Sequence, residues 1–129
     1  EKNFMSIKIQ LNIFKEPLDE CSCKPMTGYF RNGCCDTSEL DKGSHTVCAI
    51  ITESFLEFSK LRGNDLSTPV KEFDFPGLKP GDKWCLCANR WLEAFESNCA
   101  PNILAKSTNL EALKIIPFEK IKKYAIDIS

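Results

Sequence analysis

The chain has 129 residues, 43% of them hydrophobic and 27% charged, with eight cysteines, which suits a single globular domain (1–129) able to bury its own core. Its 17 Lys and Arg against 18 Asp and Glu leave a net charge of −1, so composition signals no nucleic-acid surface. No apolar stretch approaches the ~20 residues of a membrane span, so a soluble protein is expected, and the sequence does not identify a protein or small-molecule partner.

Residues 7–13 alternate strictly between apolar and polar side chains, the period of a strand with one buried face. Residues 14–45 carry two prolines, three glycines and four cysteines with no sustained period. They predict a long loop with at most a short strand near Tyr29 and Phe30, and a loop of that length is usually functional or cross-braced. Residues 46–51 then read as a buried strand, and Thr52 as the N-cap of a helix. That helix would bury Phe55, Leu56, Phe58 and Leu61 and stop at Gly63.

A second irregular stretch, residues 64–83, takes its turns from Pro69, Pro76-Gly77 and Pro80-Gly81, with Phe73 and Phe75 as anchors. Residues 84–88 predict the next strand, Asn89 the next cap, and Trp91, Leu92, Phe95 and Cys99 the next apolar stripe. The strand, cap and helix unit thus occurs twice, but its caps fall one residue out of register, which argues against a duplication. A short strand over 103–106 follows, then a short helix capped by Ser107 or Thr108 over Leu110, Leu113 and Ile116. Pro117 opens a last helix through Phe118, Ile121 and Tyr124 or Ala125. Strands and helices mixed with long connections imply an α+β domain.

The cysteines lie at positions 21, 23, 34, 35, 48, 85, 87 and 99. Neither a CxxC redox motif nor a zinc-ribbon spacing occurs. With no secretory-type opening segment and no Asn-x-Ser/Thr acceptor, the expectation is reduced thiols in a cytoplasmic protein. Cys85 and Cys87, two apart in a strand, point to one face, as half of a metal site would, although buried cysteines on a strand also serve plain packing. Cys87 sits close to a predicted helix N-terminus, where thiolates are favoured. Adjacent Cys34 and Cys35 rarely bond each other and more often meet different partners, with Cys21 or Cys23 as one of them.

His45 is the only histidine and therefore the only imidazole able to move a proton near neutral pH. In an unbroken strand His45 and Cys48 would face opposite ways, so a shared site requires His45 to stay in a bend. Asn64, Asp65, Ser67 and Thr68 read as helix termination and turns, or as a polar rim over a pocket. Phosphate loops, dinucleotide fingerprints, HExxH and GxSxG are absent from the sequence.

Several strings together resemble a known family. They are Thr27-Gly28-Tyr29-Phe30-Arg31-Asn32-Gly33-Cys34-Cys35, Gly43-Ser44-His45-Thr46-Val47-Cys48-Ala49, Gly63-Asn64-Asp65-Leu66-Ser67-Thr68-Pro69, Phe75-Pro76-Gly77-Leu78-Lys79-Pro80-Gly81-Asp82 and Trp84-Cys85-Leu86-Cys87-Ala88. In this order they look like the bacterial and plant family catalogued as domain of unknown function 2237. The resemblance covers about residues 12–126, leaves 1–11 as an extension strand, and implies a small two-layer α+β domain with no established activity. It also implies that Cys21, Cys34, Cys35, His45, Cys48, Cys85 and Cys87 belong to the shared pattern, with Cys23 and Cys99 particular to this chain.

Three functions stay open at this point. One is a structural or interaction domain with buried thiols. Another is a Zn²⁺ module using a subset of Cys34, Cys35, His45, Cys48, Cys85 and Cys87. The third is a thiol enzyme or redox protein with Cys87 or Cys34 as the reactive thiol and His45 as the proton carrier.

Overall fold

The computed structural model describes residues 9–128. Its centre is an antiparallel sheet of β1 (His45–Ile50), β2 (Lys83–Cys87) and β3 (Asn102–Ile103), in the order β2-β1-β3. Three helices accompany it: α1 (Glu53–Leu61), α2 (Ala88–Glu96) and α3 (Phe118–Tyr124). The α+β class expected from the sequence is the class observed.

Strand alternation divides the sheet chemically. On one face Val47 and Ala49 of β1 and Leu86 of β2 join Phe55, Leu56, Trp91, Ile103 and Ile121 in the main apolar core. On the other, Cys48 and Cys85 stand opposite each other in register and form a separate buried cluster with Cys21 and Cys35. Residues 14–44 bring the last two. This loop therefore covers the face that the helices leave open, and it is cross-braced as its length demanded.

Local chemistry explains the element ends. Thr52 caps α1, its side-chain oxygen accepting the N–H of Phe55 at 3.1 Å, and Gly63 follows the helix at φ +89°, a conformation glycine adopts without strain. Trp91 of α2 is fully buried and its Nε1–H donates to Pro101 O at 3.0 Å. Thr27 is fully buried in the covering loop, and its hydroxyl oxygen accepts the N–H of Cys85 at 2.8 Å. Thr27→Val keeps the shape but leaves that N–H unpaired, so urea unfolding is expected to show a loss of about 1–3 kcal/mol.

Several sequence expectations are corrected. Residues 9–13 form no strand: Leu11 and Asn12 make only isolated bridges, to Pro17 and Asn109, and residues 1–8 lie outside the described region. The cause is Asn12, whose side-chain oxygen accepts the N–H groups of Phe14 (2.9 Å) and Glu16 (3.1 Å) and folds the chain into a turn. Such local bonds from Asn compete with a ladder. Tyr29 and Phe30 lie in an exposed turn rather than a strand, and Leu61 and Phe73 are exposed. Cys87, not Asn89, occupies the N-cap of α2. The strand expected over 103–106 shortens to β3, and Asn109 rather than Ser107 or Thr108 caps the 3-10 turn Leu110–Lys114.

Candidate functional site

The backbone just before β1 decides where the imidazole goes. Asp41, with a fully buried side chain, accepts the backbone N–H of His45 at 2.8 Å and the Thr37 hydroxyl at 2.9 Å. This closes the turn over residues 41–45, with Ser44 in the left-handed region at φ +50°. A Cβ at Gly43 would stand 2.8 Å from the His45 ring and would push the imidazole aside.

The register then slips by one residue. Val47 pairs with Leu86, but His45 pairs with Cys87, so two residues of β1 oppose one step of β2, as in a β-bulge. Directly opposed residues share a face. His45 is thereby returned to the face of Cys48, Cys85 and Cys87, which strict alternation would deny it. His45 is thus the first residue of β1 and does not stay in the preceding turn as a shared site was expected to require; the bulge instead puts it on that face, and the one-face arrangement expected for Cys85 and Cys87 is present.

His45 Nδ1 lies 2.7 Å from the second Asp41 oxygen. A carboxylate only accepts, so Nδ1 carries a proton, and in the neutral ring Nε2 is the proton acceptor. Tyr29 stacks on the ring at 6.2 Å between centroids. Cys87 is half-buried and ends β2 where α2 begins. The first-turn N–H groups of α2 have no acceptor within the helix; that of Ala88 donates to Ser44 O at 2.9 Å.

His45 and Cys87 line one cavity of about 390 Å³. Its wall includes the consecutive residues Trp84 to Cys87, so it runs along the outer edge of β2. Arg31 reaches over from the covering loop, its guanidinium 5.6 Å from the centre of the Trp84 ring. Arg90 enters from α2, held by Glu93 at 3.3 Å and by Arg62 O at 3.2 Å. Glu93 also accepts from Arg62 Nε at 2.8 Å, and chiefly that guanidinium, then Arg90, keeps its carboxyl below the usual range against its partial desolvation.

The eight cysteines separate into two groups. Cys21 is bonded to Cys48 and Cys35 to Cys85, which corrects the expectation of reduced thiols for these four. In this state Cys35, Cys48 and Cys85 offer no thiolate to a metal. Among the described residues, the group of three ligand atoms within 4.8 Å of one another is Cys21, Cys35 and Cys85, and Cys21 was not among the metal candidates. The remaining candidates Cys34, His45 and Cys87 form no such group there. Adjacent Cys34 and Cys35 do go separate ways.

Cys23, Cys34, Cys87 and Cys99 are free thiols. Burial, then the charges of Asp36, Glu20, Cys23 and Asp19, push the Cys34 thiol up. A hydrogen bond that the thiol donates to the Glu20 carboxylate, then desolvation and the Glu20 charge, do the same to exposed Cys23. A raised thiol holds less thiolate at neutral pH and reacts more slowly. Glu20→Gln is therefore expected to speed alkylation of Cys23, read by mass spectrometry of labelled peptides, and to speed Cys34 to a smaller extent.

Asp41, Tyr29, Arg31, Trp84 and Arg90 escaped the sequence reading. Asp41 carried a usable signal, since a carboxylate four residues before the sole histidine, across a glycine, can fold back onto it. Arg31 and Arg90 come from segments 59 residues apart and carried none. No curated protein matches the sequence. The family model described as "Uncharacterized protein conserved in bacteria (DUF2237)" matches residues 11–125, and the chain belongs to that family.

Proposed function

We propose that this cavity performs covalent thiol chemistry of the acyl-transfer type. Cys87 Sγ attacks an electrophilic carbonyl carbon while its proton passes to Nε2 of His45. The tetrahedral adduct collapses to a thioester, and the leaving group departs with that proton. Water then adds to the thioester, giving its proton to His45, and collapse returns the proton to the sulfur and releases the acid. Asp41 holds the imidazole in the required tautomer, and the N–H groups of Asn89 and Arg90, which follow the Ala88 N–H already given to Ser44 O, are donors suited to the oxyanion.

The supporting observation is the bulge that sets the only imidazole, oriented by a buried carboxylate, opposite a free cysteine at a helix start. The test uses p-nitrophenyl acetate with the native, oxidised protein. The expected result is a burst of nitrophenolate approaching one equivalent, abolished in Cys87→Ser, with the acetyl group found on Cys87. In His45→Ala the acetyl adduct forms slowly and persists. A missing burst would overturn the reading and leave the chain as a structural or interaction domain.

A second reading is favoured by the four clustered core sulfurs. Reduced by a dithiol, Cys21, Cys35 and Cys85 present three thiols within 4.8 Å of one another, with Cys48 in the same buried cluster, a donor set that suits Zn²⁺. Cobalt titration of the reduced protein is expected to give thiolate-to-metal absorption under this reading, and a featureless spectrum rejects it. Disulfides persist in oxidising compartments, so the paired form favours a non-reducing environment over the cytoplasm expected from the sequence.

A further inference from the structure

The charge lining the cavity is one-sided. The chain holds 18 acidic residues, yet none of the eleven residues lining this cavity is Asp or Glu, while two are arginines. Asp41 is spent on His45, Glu93 bonds one nitrogen of Arg90 from outside the lining, and Asp65, between the lining residues Asn64 and Leu66, accepts from Ser67 and Thr68. Each guanidinium carries five N–H donors in a rigid fork suited to a carboxylate. Stacking on Trp84 fixes Arg31 without consuming those donors. Leu66, Leu86 and Trp84 supply apolar wall beside them.

From this distribution we infer that the site takes a small carboxylate-bearing electrophile, whose anionic end is held by Arg31 and Arg90 while its reactive carbon meets Cys87. The inference rests on the reading of Cys87 as the reactive thiol and adds the substrate class. A volume of about 390 Å³ lies at the lower end for small-molecule sites. A cation pair above a low-dielectric wall concentrates such anions.

Iodoacetate and iodoacetamide test the idea, since they differ chiefly in charge. In both, the thiolate sulfur forms a bond to the methylene carbon and iodide leaves with the bonding pair. Rates at Cys87 and Cys99 are read on the same native protein by peptide mapping, Cys99 lying outside the cavity. The ratio of iodoacetate to iodoacetamide rates is expected to be about tenfold higher at Cys87 than at Cys99, and to shrink as salt is added. Arg31→Gln and Arg90→Gln should each lower the ratio, which is insensitive to any change in the thiolate itself because both reagents meet the same sulfur. Equal ratios at the two cysteines, with Cys87 readily alkylated by iodoacetamide, would overturn the substrate class and spare the thiol reading. A Cys87 that resists both reagents while Cys99 reacts would overturn both.

Discussion

Reduction of the two disulfides is expected to remove a large part of the folding free energy. The bridges close loops with sequence separations of 27 and 50 residues, for which chain entropy gives about 3.5 and about 4 kcal/mol respectively. The loops overlap between residues 35 and 48, so the two terms are not additive. The joint loss is still large beside a net stability of roughly 5–15 kcal/mol. Reduced thiols pack as small hydrophobes, so the loss comes mainly from freeing the covering loop. Urea unfolding with and without a reductant measures it. Cys35→Ala/Cys85→Ala is expected to lose slightly more than Cys21→Ala/Cys48→Ala, and an unchanged midpoint on reduction would contradict the bracing role. Because the same loop carries Tyr29, Arg31 and Asp41, reduction should also undo the cavity wall.

Trp91→Ala is expected to cost about 3–5 kcal/mol, the range for removing a fully buried large aromatic. Trp91 has no exposed surface, stacks on Phe95 at 5.6 Å and meets the edge of Tyr124 at 5.4 Å. Its loss leaves a cavity between α2 and α3 and unpairs the carbonyl of Pro101. Trp91→Phe keeps ring contacts but forfeits the hydrogen bond, so it should lose less. Thermal or urea unfolding of both variants checks the order, and equal stability of Trp91→Ala and the parent would refute this account of the core.

How much of this was legible in the sequence depends on how local the cause is. The strand positions of β1 and β2 follow from short apolar runs, and the Thr52 cap and Pro117 start follow from residues next to the helices they open. Cys85 and Cys87 share a face simply because strands have period two. The N-terminal alternation misled because the bonds of Asn12 to Phe14 and Glu16 outweigh a two-residue period. Leu61 satisfies the helical stripe yet points to solvent, since nothing in the pattern shows where the apolar layer ends. The cap of α2 was misplaced by two residues because a cysteine gives no capping hydrogen bond to recognise.

The site was half legible for the same reason. His45 and Cys87 stood out as a unique imidazole and a thiol near a helix start, and the condition for a shared site was a bend bringing His45 to the face of Cys48. Whether the chain met it depended on a bulge set by a turn, which periodicity cannot express. The partners of Cys21 and Cys35 lie 27 and 50 residues away, and eight cysteines permit far too many pairings for spacing to choose among them.

The most direct test of the thiol site is competitive labelling of the native, oxidised protein with limiting iodoacetamide, followed by peptide mapping of Cys23, Cys34, Cys87 and Cys99. If His45 and Asp41 serve Cys87, that residue is labelled first, and its rate falls several-fold in His45→Ala and in Asp41→Asn while the other three keep theirs. Labelling of Cys87 no faster than Cys99, or unaffected by loss of the imidazole, would contradict it.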